Sequence, residues 1–342
     1  MRLSIQRSFF VGLLVLLSYV TAFAQETSLA SEHREALQTY DILWLEGGEV
    51  TNAIAWSPDG GMLAVGTDQN LWLFAEDGKE IARIEQAGGV TALAWRPDSK
   101  RIALSSFTSN DPFSFAGNIF IWDIDTFELV ASITDLRNAA FSLAWHPTED
   151  LIASGHGGDI YLSNSFSGKV IQIVDILKQP DVPLIVYSLC WLPDGINLAF
   201  TTIGIEVLNT DTLNIRPVWP IVHSWGRTTG DCSPEGDRLV VSFGNVFDLV
   251  TGEKLARSES NTSGDFTVKW HPTREWIAEY GEHGILIWHA QTGETLRLLE
   301  SGEREPFGFY HDNAIAWHPK GDRLAEATGD AFVRIWHVNL DD

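Results

Sequence analysis

Basic residues are scarce in this chain of 342 residues: 23 Lys and Arg stand against 46 Asp and Glu, for a net charge of −23. Such a surface repels nucleic acid and anionic lipid, and no Lys/Arg cluster locally reverses the sign. Cysteine is limited to Cys190 and Cys232, leaving room for one bridge at most. No phosphate-binding glycine loop, nucleophile elbow or dinucleotide fingerprint occurs, so none of those chemistries is signalled and no cofactor is expected. Long apolar runs are missing beyond Phe9 to Val20, which is too short and too abruptly ended for a membrane span.

That one run sits in a secretory pattern. Arg2 and Arg7 form a basic stretch ahead of it, and Ala22-Phe23-Ala24 is a small-residue cleavage site before Gln25. Residues 1–24 therefore read as a signal peptide, an uncleaved anchor being the competing reading. Residues 25–39 read as a linker. Removal of Arg2 and Arg7 leaves 21 basic against 46 acidic residues, a net charge of −25. The expected location is secreted or periplasmic, with no membrane contact after cleavage. Export would permit a disulfide. Yet Cys190 precedes a repeat anchor and Cys232 occupies one, so strand alternation sends them to opposite faces. Two free core thiols are expected.

What the chain has is a repeat. Trp56-Ser57-Pro58-Asp59-Gly60 returns as Trp95-Arg96-Pro97-Asp98-Ser99, Trp145-His146-Pro147-Thr148 and Trp191-Leu192-Pro193-Asp194-Gly195. It continues as Cys232-Ser233-Pro234-Glu235-Gly236, Trp270-His271-Pro272-Thr273 and Trp317-His318-Pro319-Lys320-Gly321. The anchors lie 39, 50, 46, 41, 38 and 47 residues apart. A period near forty with alternating apolar residues and Pro/Gly/Asp turns predicts four antiparallel strands per unit.

The second strands carry a small residue (Ala64, Ala103, Ala153, Ala199, Val240, Ala278, Ala325) beside a larger one (Leu63, Ile102, Ile152, Leu198, Leu239, Ile277, Leu324). Sheets apolar on both faces must pack between neighbours, as propeller blades do. The seventh unit lacks a fourth strand, while Tyr40 to Leu45 is a strand without a unit. Joining the two closes the ring and removes the free edge. The fold class expected is all-β: a seven-bladed β-propeller of four-stranded antiparallel blades over 40–342, closed by the N-terminal strand joining the last blade. Repeats start near 50, 90, 139, 185, 228, 265 and 312.

This pattern resembles the WD40 repeat family over residues 40–338, in a degenerate form like that of exported bacterial proteins. Trp122-Asp123 is the one complete Trp-Asp pair, with Trp288-His289 and Trp336-His337 in its place elsewhere. Asp68, Asp159 and Asp330 fit the family's turn Asp, but most of its hydrogen-bonded tetrad is missing. The resemblance implies a platform without catalytic activity that holds peptides or proteins at the central opening of its narrow face. Loops entering the first strands, and loops between second and third strands, would build that face.

On the implied rim, the position four before each anchor holds Asn52, Thr91, Phe141, Tyr187, Thr228, Phe266 and Asn313. Exposed aromatics commonly anchor partners; ordinary blade packing is the competing account. A long excursion after the second repeat's second strand adds Phe107, Phe113 and Phe115, and nearby loops add Trp225, Phe309 and Tyr310. These nine aromatics, Phe107, Phe113, Phe115, Phe141, Tyr187, Trp225, Phe266, Phe309 and Tyr310, form the candidate partner-binding rim.

No catalytic or metal-binding residue is assigned. Glu279 and Glu326 occupy matching positions on second strands, where two carboxylates suggest an acid/base pair but fit better as structural acceptors of Trp, His or backbone hydrogen bonds. Asp231 and Lys269 match an inter-blade ion pair. The His-Pro pairs at 146, 271 and 318 are spread around the ring, which disfavours a metal centre. Asp123-Ile124-Asp125 reads as a hairpin turn rather than a calcium loop. Asn261-Thr262-Ser263 is a glycosylation sequon.

The function expected is a non-catalytic scaffold for a protein or peptide, monomeric outside a complex, that binds no nucleic acid. A propeller hydrolase or lyase would require His156, His283, His311 and carboxylates to converge at the central mouth. A structural module of an envelope complex would show apolar patches on the outer strands.

Overall fold

In the computed structural model the described residues are 40–85, 88–107, 117–176, 184–219, 228–259, 267–281, 284–301 and 314–339. They form seven four-stranded antiparallel sheets. The first blade runs through Thr51–Trp56, Met62–Thr67, Asn70–Ala75 and Glu80–Glu85. Five more blades repeat this order, and the seventh is built of Ile315–Trp317, Arg323–Ala327 and Phe332–His337 with Tyr40–Trp44 as its fourth strand. The ring thus closes with the strand expected. Leu45 N donates to Ala331 O at 2.8 Å, and His337 Nε2 lies 2.8 Å from Asp41 Oδ2.

Register explains why the repeat is so legible. Every anchor pairs with the larger second-strand residue: Trp56 with Leu63, Trp95 with Ile102, Cys232 with Leu239, Trp317 with Leu324. That residue pairs in turn with a fixed third-strand position, as Leu63 with Phe74 and Leu324 with Trp336. These residues face the preceding blade, whereas the small residue between them faces the next one. Leu63 packs with Ala325 of blade seven, and Ala64 packs with Ile102 of blade two. A methyl on one face and a branched or aromatic group on the other let adjacent sheets interdigitate without voids.

Polar ties fasten the seams. Trp95, Trp145, Trp191 and Trp317 each donate Nε1–H to the carbonyl before the preceding anchor: Ala55, Ala94, Ala144 and Lys269, at 3.0, 2.9, 3.2 and 3.3 Å. The fifth anchor is Cys232, and there the tie is covalent. Cys190 and Cys232 form a disulfide with Cα atoms 6.3 Å apart, within ordinary bridging range. The expectation of two free thiols is therefore corrected. Alternation does send the two residues to opposite faces of their own sheets. In a ring of blades, however, the forward face of one sheet looks at the rear face of the next, so opposite faces meet.

The His-Pro turns carry a second kind of tie. His146, His271 and His318 are buried, and each Nδ1 accepts a backbone N–H from its own turn. The proton therefore sits on Nε2, which donates to Gly195, Gly321 and Gly60 of the following blade at 2.7, 3.1 and 3.2 Å. Each ring also meets the next anchor edge-on, at centroid distances of 4.7 Å for His146–Trp191, His271–Trp317 and His318–Trp56. Repetition of His here serves circumferential stapling. Those glycines have φ of +66°, +75° and +75°, and a Cβ on Gly321 would overlap the His271 ring. Gly321→Ala is expected to lose about 3 kcal/mol by adding backbone strain to a displaced imidazole. Gly61, whose added Cβ would meet Asp59 no closer than 3.4 Å, is the control that changes little; denaturant midpoints compare the two.

The Asp123 turn is a hairpin turn, as expected. Its Oδ1 accepts from Asp125 N and Thr126 N at 3.1 Å each. Asn164, Asn209 and Asp248 hold equivalent turns in later blades. The Asp231–Lys269 pair also forms across its seam at 3.9 Å, and Asp231 Oδ2 accepts Trp270 N at 2.7 Å.

Candidate functional site

The mouth of the ring is where first strands begin and second strands end. Three of the nine candidate rim aromatics fall on described residues. Phe141 and Tyr187 stand at matching positions on blades three and four, each half-buried, their backbone N–H groups bonded to Gly155 O and Thr201 O at 2.9 and 3.0 Å. Phe107 ends the second strand of blade two, half-buried, its N–H on Gly89 O at 3.2 Å. Phe113, Phe115, Trp225, Phe266, Phe309 and Tyr310 lie outside the described residues, as do His283, His311, Asn313, the sequon at Asn261 and residues 1–24.

The other described rim positions are not aromatic. Asn52 is half-buried, and Thr91 and Thr228 are buried. Thr91 Oγ1 donates to Ala140 O at 2.7 Å, and Ser142 Oγ donates to Val186 O at 3.1 Å. Ser105 Oγ accepts Ala140 N at 2.9 Å, and Thr51 Oγ1 accepts Gly329 N at 3.0 Å. Short hydroxyl side chains thus stitch neighbouring blades at the mouth.

His156 is buried rather than poised at the mouth. Its Nδ1 lies 2.7 Å from Asn138 O and its Nε2 lies 2.9 Å from Ser154 Oγ, with Tyr161 against the ring at 4.6 Å. A carbonyl accepts only, so Nδ1 carries the proton. Burial pushes its pKa down to about 4. In the unfolded chain the imidazole protonates near 6.5, so that state binds the extra proton first as pH falls. Stability contributed by neutral His156 is present above pH 6.5 and is lost as pH drops toward 4, a span of about 3 kcal/mol. His156→Asn should flatten the stability–pH curve in that window; an unchanged slope would refute the assignment.

Glu326 is fully buried and accepts from Trp336 Nε1 at 2.6 Å and Arg334 Nη1 at 3.0 Å. Glu279, also buried, points at Gly244 of the preceding blade, where an added Cβ would come within 3.2 Å of Oε2. Glu326 is thus held by its own blade, and Glu279 faces the blade before it. Among the described residues no group of three or more His, Cys, Asp or Glu is placed to hold a metal ion.

A third buried carboxylate went unnoticed in the sequence. Glu49, just ahead of the first blade, accepts from Thr67 Oγ1 and Asn70 Nδ2 at 2.5 Å each and from Trp72 Nε1 at 2.9 Å. It rebuilds in blade one the polar cluster that the dipeptide signatures suggested was gone. Asp68 does keep a turn role, accepting Val50 N at 3.1 Å. Glu49 precedes the strand and breaks no pattern, so only its fixed offset from Trp72 would have given it away.

Two grooves open on the opposite face, among the first turns. One, of about 690 Å³, runs between blades three and four past Glu149, Ile171, Ile196 and Leu213. The other, of about 660 Å³, runs between blades four and five past Pro193, Val207 and Val250. Both depend on how turns of different blades approach one another, which no single repeat encodes.

A family model described as WD domain, G-beta repeat matches residues 45–74, the segment that holds the whole Glu49 cluster. Echinoderm microtubule-associated protein-like 2 of Homo sapiens is 28% identical over 158 residues, covering 39% of this chain and 23% of that protein. Its Rattus norvegicus counterpart is 28% identical over 148 residues, covering 36% and 22%. The chain thus spans less than a quarter of the length of these curated relatives. A chain of the Crystal Structure of Mitotic Checkpoint Complex superposes with a TM-score of 0.69 at 16% identity, over 87% of this chain and 91% of that one. That likeness shows the fold.

Proposed function

For a chain that carries a WD40 repeat, folds as a seven-bladed propeller and is related to WD40 proteins, we propose a non-catalytic role: holding a protein or peptide at the ring's central mouth. WD40 propellers generally act as interaction scaffolds. The observation that carries this reading is the pair Phe141 and Tyr187, half-exposed on adjacent blades and fixed by backbone bonds. An aromatic side chain has few rotatable bonds and loses little freedom on binding, which is why such residues supply a large share of interface energy. The acidic surface selects against anionic competitors.

The proposed setting is extracytoplasmic, after cleavage behind Ala24. The Cys190–Cys232 bridge supports it, since disulfides persist in oxidising compartments. N-terminal sequencing of the exported protein should begin at Gln25. Affinity capture from that fraction should recover a partner with the native chain and lose it with Phe141→Ala and Tyr187→Ala. Retention of every partner by both variants would sink the rim assignment.

A further inference from the structure

The outer strands of the blades are edges, with one side of each backbone ladder facing solvent. Most carry charge or proline on that edge: Glu80, Arg83 and Glu85 in blade one, Arg216 and Pro217 in blade four, Lys254 and Arg257 in blade five. Such residues block further strand pairing. Blade three differs. Its outer strand, Val170–Asp175, reads Val-Ile-Gln-Ile-Val before Asp175, and Val170, Ile171 and Ile173 are 37%, 61% and 46% exposed. Blade two's outer strand, by comparison, exposes Ser132 and Thr134 beside Leu129. The Ile173 carbonyl accepts the amide of the adjacent Gln172 side chain at 2.8 Å. Among the described residues this strand ends its sheet.

The surroundings add shape and charge. Ile171 lines the groove of about 690 Å³ with Ile196 and Leu213 of blade four, both exposed. Glu149, Asp194 and Asp211 also line it, and among the described residues no Lys or Arg does. We propose that this edge docks an extended Lys- or Arg-bearing segment of a partner protein, added to blade three as a fifth strand. Main-chain bonds to the open ladder would supply affinity, and alternate side chains would enter the groove. A second copy of this chain is the poorer occupant, because a net charge of −23 repels its like. The proposal extends the scaffold reading to a surface away from the mouth.

The test uses the full chain and a labelled, end-capped peptide of alternating Lys and Val, followed by fluorescence anisotropy and hydrogen exchange. Binding should protect amides of Val170–Asp175. Methylating alternate peptide nitrogens keeps charge and composition but removes ladder donors, and should weaken binding at least tenfold. Ile173→Lys should do the same, as should the strand-preserving pair Ile171→Thr with Ile173→Thr. Ile81→Lys, on the matching strand of blade one, should change nothing. Equal binding by the methylated peptide, insensitivity to both blade-three variants, or protection elsewhere would overturn the proposal. So would concentration-dependent dimerisation abolished by Ile173→Lys, which would assign the edge to self-association. Phe141→Ala and Tyr187→Ala should leave peptide binding intact, so failure at the mouth and failure at the edge are read separately.

Discussion

Replacing Cys190 and Cys232 with Ser lowers the unfolding free energy by about 4 kcal/mol, the chain-entropy value for a bridge spanning 42 residues. Reduction of the native protein should lower the unfolding free energy, read from the denaturant midpoint, by a comparable amount. The seam also indicates how to repair the loss. At four other anchors a tryptophan donates to the carbonyl before the preceding anchor. Cys232→Trp combined with Cys190→Ala should therefore recover about 1 kcal/mol through the restored hydrogen bond. If reduction leaves the midpoint unmoved, the bridge is not what holds this seam.

Glu326→Ala should cost about 4 kcal/mol, because it removes the buried carboxylate that accepts from both Arg334 and Trp336. Glu326→Gln keeps an acceptor in place and should lose less. Replacing both Glu326 and Arg334 by Met removes the charges together and should come close to the native value, as apolar substitution of buried pairs often does. A catalytic carboxylate would behave differently, keeping stability while abolishing a reaction. Equilibrium unfolding of the three variants distinguishes the cases: an Ala variant as stable as the native chain would remove Glu326 from its structural role.

The scaffold was legible because it is written seven times. Trp56 and Leu63 recur seven residues apart in every blade since each must meet the other in register, and repetition averages out local exceptions. The closing strand was legible through an imbalance, a blade short of one strand and a strand short of a blade. The disulfide was not, because alternation within one sheet says nothing about the sheet it faces. Phe141 and Tyr187 stand at matching positions ahead of their anchors, as the repeat placed them, while Phe107 ends a strand instead of opening the loop after it. Glu49 and the two grooves were missed for a shared reason: each arises where segments distant in sequence converge, and no periodic signal marks that meeting.

Pairing Tyr40–Trp44 with Phe332–His337 has a kinetic consequence. The Asp41–His337 contact spans 296 residues, so its loop-closure entropy must be overcome before that contact stabilises anything. During synthesis, early blades can stack in order while the first segment waits for the last. Until then both flanks of the growing arc present bare apolar sheet, one behind blade one and one ahead of whichever blade is newest. Assembly of the circle is thus a single late event, and losing the final strand opens the whole ring instead of shortening it by one step.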